Sequence, residues 1–173
     1  MNQQVETELK SLLNSRYSTS ESARGNYARG EDTYEPILSK AVVFPETNEE
    51  VSKILKLCNE HKVPVVPYGT GTSLEGNVVG NENGITICLE KMNKILSVNA
   101  EDFDCRVQAC VTREQLNEYL REDGVFFSYR SRSKRCFRWY GINLRFRNNG
   151  SEIWYNENGY FRSNCSFAKW RYY

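Results

Sequence analysis

The chain has 173 residues, and its 23 Lys and Arg nearly balance its 22 Asp and Glu, which leaves a formal net charge of +1. This length suits one domain with its own core, and no apolar run approaches the ~20 residues of a membrane-spanning helix. The acidic start, Met1–Glu6, resembles neither a signal peptide nor an Arg-rich transit peptide. Six cysteines at these spacings do not form a disulfide framework, so we expect reduced thiols in a cytoplasmic protein.

The near-neutral total charge hides two unlike segments. Residues 1–127 hold 13 basic and 20 acidic residues, a net of −7, whereas residues 128–173 hold 10 basic and 2 acidic, a net of +8. Residues 128–173, which we call the tail, also carry 13 of the 22 aromatic residues and all three tryptophans. One domain does not usually change composition at a single point, so we treat the two segments separately.

The first sixty residues predict helix, strand and helix. A helix is expected first, because apolar residues recur at helical spacing at Val5, Leu9, Leu12 and Leu13. A polar, extended lead-in follows over 16–36, and then a short strand over 41–44. Thr47–Glu50 is typical of a capping box, with Thr at the N-cap and Glu at N3. It opens an amphipathic helix that ends near His61.

Strands dominate the next stretch of sequence. They are expected over 63–66, 85–89, 95–98, 105–109 and 125–127. Thr112–Gln115 is a second capping box, and it opens a helix with Leu116, Tyr119 and Leu120 on one side, ended by Gly124. This order of elements predicts a mixed α+β fold, in which helices cover a mixed sheet.

One segment carries recognisable chemistry, and we call it the glycine-rich loop. It comprises Pro67, Tyr68, Gly69, Thr70, Gly71, Thr72, Ser73, Leu74, Glu75, Gly76 and Asn77. Its glycines allow positive φ and close approach of a ligand, and its N–H and hydroxyl groups can form a nest for a phosphate or pyrophosphate. An ordinary tight turn is the alternative. The loop lacks the Gly-Lys-Ser/Thr of a triphosphate loop, and Leu74 stands where the Rossmann fingerprint needs glycine.

These motifs resemble the amino-terminal part of the FAD-binding domain of the vanillyl-alcohol oxidase/p-cresol methylhydroxylase (VAO/PCMH) flavoproteins. The resemblance is strongest to D-lactate dehydrogenase (cytochrome) and the glycolate oxidase FAD subunit. The segments that carry it are 18–20, 30–32, 42–45, 64–76, 99–103 and 111–117. It implies that the loop from Pro67 to Asn77 binds the FAD pyrophosphate. It also implies an incomplete FAD-binding domain over 37–127, preceded by a helix and lead-in over 1–36.

The remaining polar and cysteine residues indicate no second site. His61, the only histidine, is expected at a solvated helix end, and we expect no metal site. The cysteines expected to pack as small apolar residues are Cys58, Cys88, Cys105 and Cys110. We name no catalytic residue, because the family's substrate domain, which carries its catalytic groups, has no counterpart here.

The tail allows three interpretations. Its eight arginines among aromatic residues are typical of nucleic-acid binding, and a disordered segment is the second reading. We favour a third hypothesis, that the tail is an out-of-frame translation that begins after Phe127 and ends prematurely. Its structure is expected to be irregular. Trp has the single codon TGG, so a shift of one nucleotide turns Trp139, Trp154 and Trp170 into glycine. Glycines in this order match the glycine motifs with which the family continues.

We therefore expect a fragment of an FAD-dependent oxidoreductase that acts on a 2-hydroxy acid, D-lactate or glycolate, by hydride transfer to flavin. The chain alone is expected to be inactive, with the substrate bound only by the full-length parent. Self-association through uncovered strand edges is expected, and a nucleic-acid partner is not. Two alternatives stay open, a non-catalytic phosphate- or nucleotide-binding module and a nucleic-acid-binding protein acting through the tail.

Overall fold

The computed structural model describes residues 3–100, 104–127, 146–148 and 151–152. The chain divides into two compact units, Met1–Lys91 and Met92–Tyr173. Among the described residues, no helix is long and apolar enough to cross a membrane.

The first unit is built on a four-stranded mixed sheet. Its elements are α1 (Gln3–Leu13), a 3-10 turn (Asn14–Arg16), β1 (Tyr17–Ser18), α2 (Glu21–Asn26), β2 (Ala41–Val43), α3 (Asn48–Glu60), β3 (Val65–Tyr68) and β4 (Ile85–Cys88). The strand order is β1-β2-β4-β3. Strand β4 pairs in parallel with both β2 and β3, and β1 pairs antiparallel with β2. The predicted mixed α+β architecture is confirmed.

The core of this unit consists of the central strands and the apolar faces of two helices. Strands β2 and β4 are buried along their whole length, as is usual for parallel strands. Helices α1 and α3 bury one face each, formed by Val5, Leu9 and Leu13 in α1 and by Val51, Ile54 and Cys58 in α3. The buried hydroxyls of Ser39 and Thr86 satisfy each other with a 2.8 Å hydrogen bond.

The predictions for this unit were wrong in two places. Strand β3 begins at Val65 and runs through Pro67 to Tyr68, so these two residues belong to the strand rather than to the loop. Because β3 is an edge of the described sheet, a proline without an N–H is tolerated in it. The lead-in is also not wholly extended, since Ser20 caps a short helix, α2, by accepting from the N–H of Ala23 at 3.3 Å.

In its described residues, the second unit contains small antiparallel sheets and one helix. Its elements are β5 (Ile95–Asn99), β6 (Asp104–Val107), α4 (Arg113–Leu120), β7 (Phe126–Phe127), β8 (Phe146–Asn148) and β9 (Ser151–Glu152). Strands β5 and β6 form an antiparallel pair, and β7, β8 and β9 form a three-stranded sheet. The tail was predicted to be irregular, yet its described residues are the strands β8 and β9. The rest of that prediction lies outside the described residues.

Helix α4 packs on an apolar cluster of its own unit. The buried members are Cys105, Val111, Leu116, Leu120, Val125 and Phe127. Tyr119 was predicted to share this face, but it is 55% exposed. Successive helical residues are 100° apart, so Leu116 and Leu120 define a narrow stripe and Tyr119 falls at its flank. The prediction for Tyr119 was therefore wrong.

Candidate functional site

The candidate site lies at the carboxyl end of strand β3. Pro67 and Tyr68 are the last residues of the strand, and Gly69–Asn77 form the turn beyond it. In open sheets with parallel strands, ligands bind outside the carboxyl ends of the strands. The glycine-rich loop is thus in the position where such a fold binds small molecules.

The loop conformation requires glycine at two positions. Gly71 has φ +71° and Gly76 has φ +69°, both in the left-handed region that side chains disfavour. A Cβ on Gly71 would also collide with the Tyr68 hydroxyl, and one on Gly76 would lie 3.0 Å from Cδ2 of Tyr34. The backbone shape, rather than the side chains, therefore defines this loop.

The loop is rich in free hydrogen-bond donors. Among the bonds between described residues, none uses a backbone N–H from Gly69 to Asn77 as the donor. The bonds that hold the loop use its carbonyls: Glu31 N–H donates to Gly71 at 2.9 Å, and Val79 N–H donates to Gly76 at 3.1 Å. Successive N–H groups in a turn with positive φ form a concave site for an anion.

Two hydroxyl groups can add to these donors. Thr70 is exposed and Thr72 is half-buried, with their hydroxyl oxygens 3.5 Å apart. Ser73 is only 5% exposed, so its hydroxyl is less accessible to a ligand. Leu74 and Glu75 are exposed.

Side-chain charge does not favour an anion at this loop. Between Tyr68 and Asn77 the one charged residue is Glu75, which is negative. Asp32 adds a second carboxylate, whose Oδ1 accepts from Tyr34 N–H at 3.2 Å and whose buried Oδ2 has no partner among the described residues. An anion must therefore be held by neutral N–H and hydroxyl donors.

An aromatic cluster supports the base of the loop. Tyr27 packs edge-on against Phe44 and Tyr68, with ring centroids 5.4 and 5.2 Å apart. The Tyr27 hydroxyl donates to the carboxylate oxygens of Glu90 at 2.9 and 3.0 Å. Burial raises the pKa of Tyr27 above its usual value, and the hydrogen bond to Glu90 adds to this effect. The sequence analysis missed Tyr27, because nothing in the local sequence pairs it with Phe44 or Glu90.

The Tyr68 side chain is buried against the protein and does not project from the outside of the loop. It is 9% exposed, and its hydroxyl donates to the carbonyl of Arg29 at 3.1 Å. Burial raises the pKa of Tyr68, and the charges of Asp32 and Glu90 contribute, so the phenol stays protonated near neutral pH. Arg29 belongs to the segment Ala28–Glu31, which we call the strap and which the sequence analysis did not connect with the loop.

The other candidate residues serve the fold. His61 is the C-cap of α3, as expected, and Cys58 is 1% exposed in the core. Burial raises the pKa of the Cys58 thiol to about 11 and that of the Cys88 thiol to about 12. Cys105 and Cys110 are buried, and Cys105 belongs to the apolar cluster under α4. In the part of the chain that the structure describes, no three His, Cys, Asp or Glu residues are grouped as metal ligands.

Comparison with known proteins identifies the family. A family of FAD binding domains matches residues 39–137, which include β2 and the whole glycine-rich loop. The chain belongs to this family. FAD is accordingly the cofactor of the domain, as the sequence resemblance implied. The match begins beyond the strap and ends beyond Phe127.

Curated relatives extend the similarity to named enzymes. The chain is 39% identical over 110 residues to "Probable D-lactate dehydrogenase, mitochondrial" of Danio rerio, covering 64% of the chain and 22% of the relative. It is 38% identical over 123 residues to "D-lactate dehydrogenase [cytochrome], mitochondrial" of Arabidopsis thaliana, covering 70% and 22%. It is 36% identical over 87 residues to "Glycolate oxidase subunit GlcD" of Bacillus subtilis, covering 50% and 18%. The chain thus spans about a fifth of the length of these relatives.

Solved structures share the fold. An alkyldihydroxyacetonephosphate synthase matches with a TM-score of 0.73 at 19% identity, covering 82% of this chain and 32% of the other. A p-cresol methylhydroxylase matches with a TM-score of 0.61 at 23% identity, covering 78% and 28%. The predicted VAO/PCMH-type FAD-binding fold is confirmed.

Proposed function

We propose that the segment from Pro67 to Asn77 holds the pyrophosphate of FAD. The observation that carries this proposal is the run of N–H groups from Gly69 to Asn77 that donate to no described residue, in a turn with two positive-φ glycines. Such a turn binds anions through its backbone, and a pyrophosphate is the anionic part of FAD. Pro67 and Tyr68 end strand β3 and set where the turn begins.

The domain serves an oxidoreductase that oxidises a 2-hydroxy acid, D-lactate or glycolate. FAD supplies, when bound, the two-electron acceptor for that oxidation. The curated names of the relatives, D-lactate dehydrogenase and glycolate oxidase subunit, support this substrate class. The contribution of the residues described here is to bind and orient the dinucleotide rather than to contact the substrate.

The present chain does not turn over a 2-hydroxy acid by itself. The matched residues cover 22% or less of each relative quoted above, and we assign no catalytic residue within them. The loop also lacks a cation, so only neutral N–H and hydroxyl donors hold the pyrophosphate. We therefore expect the chain to bind FAD weakly and to show no activity.

A titration with FAD tests this proposal. In the 15N-labelled chain, FAD should shift the amide resonances of Gly69–Asn77, while dye-coupled assays with D-lactate and with glycolate should show no turnover. A stoichiometric yellow protein that oxidises D-lactate would overturn the expected inactivity. Equal affinities for inorganic pyrophosphate, ATP and FAD would favour the alternative, a non-catalytic phosphate-binding module.

We propose separately that the tail, residues 128–173, is translated out of frame. Its support is the change in composition after Phe127 and the three tryptophans that a one-nucleotide shift turns into glycine. Sequencing the gene across the Phe127 codon in several independent isolates tests it, and an intact frame in all of them would refute it. A salt-dependent gel shift tests the nucleic-acid alternative, which predicts binding that weakens steeply as salt rises.

Self-association is proposed to occur through exposed strand edges. Strand β3 is an edge of the four-stranded sheet, and an unpaired edge is a template for a further strand. Sedimentation velocity should therefore show oligomers that grow with protein concentration. A single monomeric species at every concentration would contradict this.

The compartment is likewise a proposal. The sequence favours the cytoplasm, whereas two of the relatives carry "mitochondrial" in their names. Cell fractionation followed by immunodetection of the chain decides between the two compartments.

A further inference from the structure

The strap, Ala28–Glu31, is bonded to Tyr68 and Gly71 of the glycine-rich loop and to Gly80, three residues beyond the loop. Glu31 N–H donates to the Gly71 carbonyl at 2.9 Å, and Gly80 N–H donates to the Ala28 carbonyl at 3.1 Å. Between these two bonds, the Tyr68 hydroxyl donates to the Arg29 carbonyl at 3.1 Å. The strap is thus attached before, within and after the turn.

Gly30 is the point of closest approach between the strap and the loop. A Cβ at Gly30 would lie 2.8 Å from the carbonyl oxygens of Gly71 and Ser73 and 2.9 Å from Cγ2 of Val78. Two of these three neighbours are backbone atoms, which cannot rotate away as a side chain can. Lack of space, and not the backbone conformation, therefore requires glycine at this position. The φ angle of Gly30 does not lie in the left-handed region.

The contacts with the strap determine the direction in which the Gly71 and Ser73 carbonyls point. The Gly71 carbonyl points to Glu31 N–H, and the Ser73 carbonyl oxygen lies against Gly30. In a trans peptide the C=O and the following N–H point in opposite directions. The N–H groups of Thr72 and Leu74 consequently point away from the strap.

Tyr68 reinforces the same orientation. Its ring stands perpendicular to Tyr27, and its hydroxyl occupies the space that a side chain on Gly71 would need. Because the hydroxyl donates to the Arg29 carbonyl, it is not directed at a ligand on the far side of the loop. The side chain acts through the loop backbone.

We propose that the strap, together with Tyr68 at the end of β3, is a positioning element of the FAD site, and that Gly30 and Tyr68 are the positioning residues. It holds the Gly71–Thr72 and Ser73–Leu74 peptides so that the N–H groups of Thr72 and Leu74 face the pyrophosphate. This inference rests on the proposed function of the glycine-rich loop. The strap lies before residue 39, where the match to the family begins, so the functional unit extends into the lead-in.

The variant G30A tests the proposal, with G25A as its matched control. A Cβ at Gly25 would meet nothing within 4 Å, so this control adds the same methyl group in open space. In the ligand-free 15N-labelled chain, G30A should move the amide resonances of Thr72 and Leu74, and G25A should leave them in place. G30A should also weaken FAD binding at least tenfold, whereas G25A should bind like the unaltered chain.

A second variant keeps the proposal testable if G30A fails to fold. Tyr68→Phe retains the ring and removes only the hydroxyl that bonds to Arg29, and Tyr119→Phe is the control at an exposed tyrosine. Tyr68→Phe should move the same two amides and weaken FAD binding about threefold to tenfold, as expected for one lost hydrogen bond. Tyr119→Phe should do neither.

The results separate this inference from the proposed function. Unchanged Thr72 and Leu74 amides in both folded variants would overturn the role of the strap, even if FAD binds at the loop. Moved amides in the ligand-free variants, together with FAD shifts elsewhere in the unaltered chain, would overturn the pyrophosphate site while leaving the strap as a structural clamp.

Discussion

The start of helix α4 and the glycine-rich loop both contain runs of backbone N–H donors, but they differ in whether those donors have acceptors within the protein. At α4 the Thr112 side chain accepts from the Gln115 N–H at 3.2 Å, and the Gln115 side chain accepts from the Thr112 N–H at 2.9 Å. In the glycine-rich loop, the N–H groups from Gly69 to Asn77 donate to no described residue.

This difference distinguishes a donor run used for stability from one reserved for a ligand. A capping box satisfies two donors of a helix start reciprocally, and at α4 these are the N–H groups of Thr112 and Gln115. In the loop, by contrast, the bonds to the protein use the Gly71 and Gly76 carbonyls, and the N–H donors are left for an outside acceptor. The two regions should therefore respond in opposite ways to mutation, one through stability and the other through FAD affinity.

The largest expected effect is that of Gly71→Ala on FAD binding. The left-handed backbone at Gly71 would cost an alanine about 1–2 kcal/mol, and its Cβ would collide with the Tyr68 hydroxyl. We expect binding to fall at least tenfold in an isothermal titration. Gly124→Ala is the control, because Gly124 has φ +67° with nothing within 4 Å of an added Cβ. A Gly124→Ala variant that loses FAD as severely would show that backbone strain alone, and not the loop, explains the loss.

The start of helix α3 combines a capped backbone N–H with an ion pair, and Glu50→Gln tests the contribution of the ion pair. Thr47 caps this helix through the Glu50 N–H at 3.2 Å, which confirms the N-cap half of the predicted capping box. The Glu50 carboxylate, however, accepts from Nη1 and Nη2 of Arg16 at 2.6 and 2.5 Å and from the Glu46 N–H at 2.8 Å. Hydrogen bonds from Arg16 lower the pKa of Glu50 from 4.5 to about 2.

A carboxylate with a lowered pKa stabilises the fold above its unfolded pKa and loses that contribution as the pH falls toward its folded pKa. We expect Glu50→Gln to reduce the free energy of unfolding by about 1–2 kcal/mol at pH 7, and by progressively less between pH 4.5 and 2. Urea titrations at several pH values measure this. Glu60→Gln, at an exposed position of the same helix, is the control, and an equal loss in both variants would contradict the role of the Arg16 pair.

Thr112→Ala should affect stability alone. Loss of an N-cap side chain costs about 1 kcal/mol, which urea denaturation detects. FAD affinity should not change, because the proposed pyrophosphate site is the glycine-rich loop and not the start of α4. Thr112→Ser, which keeps the hydroxyl, should restore most of the stability, and a fall in FAD affinity with Thr112→Ala would break the contrast between the two regions.

Thr70→Ala is expected to give the smallest effect and the opposite pattern. Thr70 is exposed, so removing its hydroxyl should leave the unfolding free energy within about 0.5 kcal/mol. Loss of one hydrogen bond to the pyrophosphate should weaken FAD binding about twofold to tenfold. Thr70→Ser should rescue the affinity, and wild-type affinity in Thr70→Ala would remove that hydroxyl from the site.

Local signals explain what the sequence predicted well. The Thr112–Gln115 box, the apolar spacing in α3 and the β-rich runs at β2 and β4 each depend on neighbours in the sequence, and all are confirmed. The glycine-rich loop was found in the same way, from its composition after a strand.

Contacts between distant residues explain what the sequence analysis missed. The bond of Glu31 to Gly71 and the pairing of Arg16 with Glu50 join residues that no local pattern relates. The same is true in the second unit, where Asn117 accepts from the Phe127 N–H at 2.7 Å and donates to the Phe127 carbonyl at 3.3 Å. Such bonds depend on how the chain folds back, so they become visible only in the structure.

The most direct test of the FAD site is an amide-resolved titration of the 15N-labelled chain with FAD. The resonances of Gly69–Asn77 should shift saturably, led by Thr72 and Leu74, while those of Arg113–Gln115 at the start of α4 stay in place. Saturable shifts at α4 with none in the loop would contradict the assignment of the pyrophosphate to the glycine-rich loop.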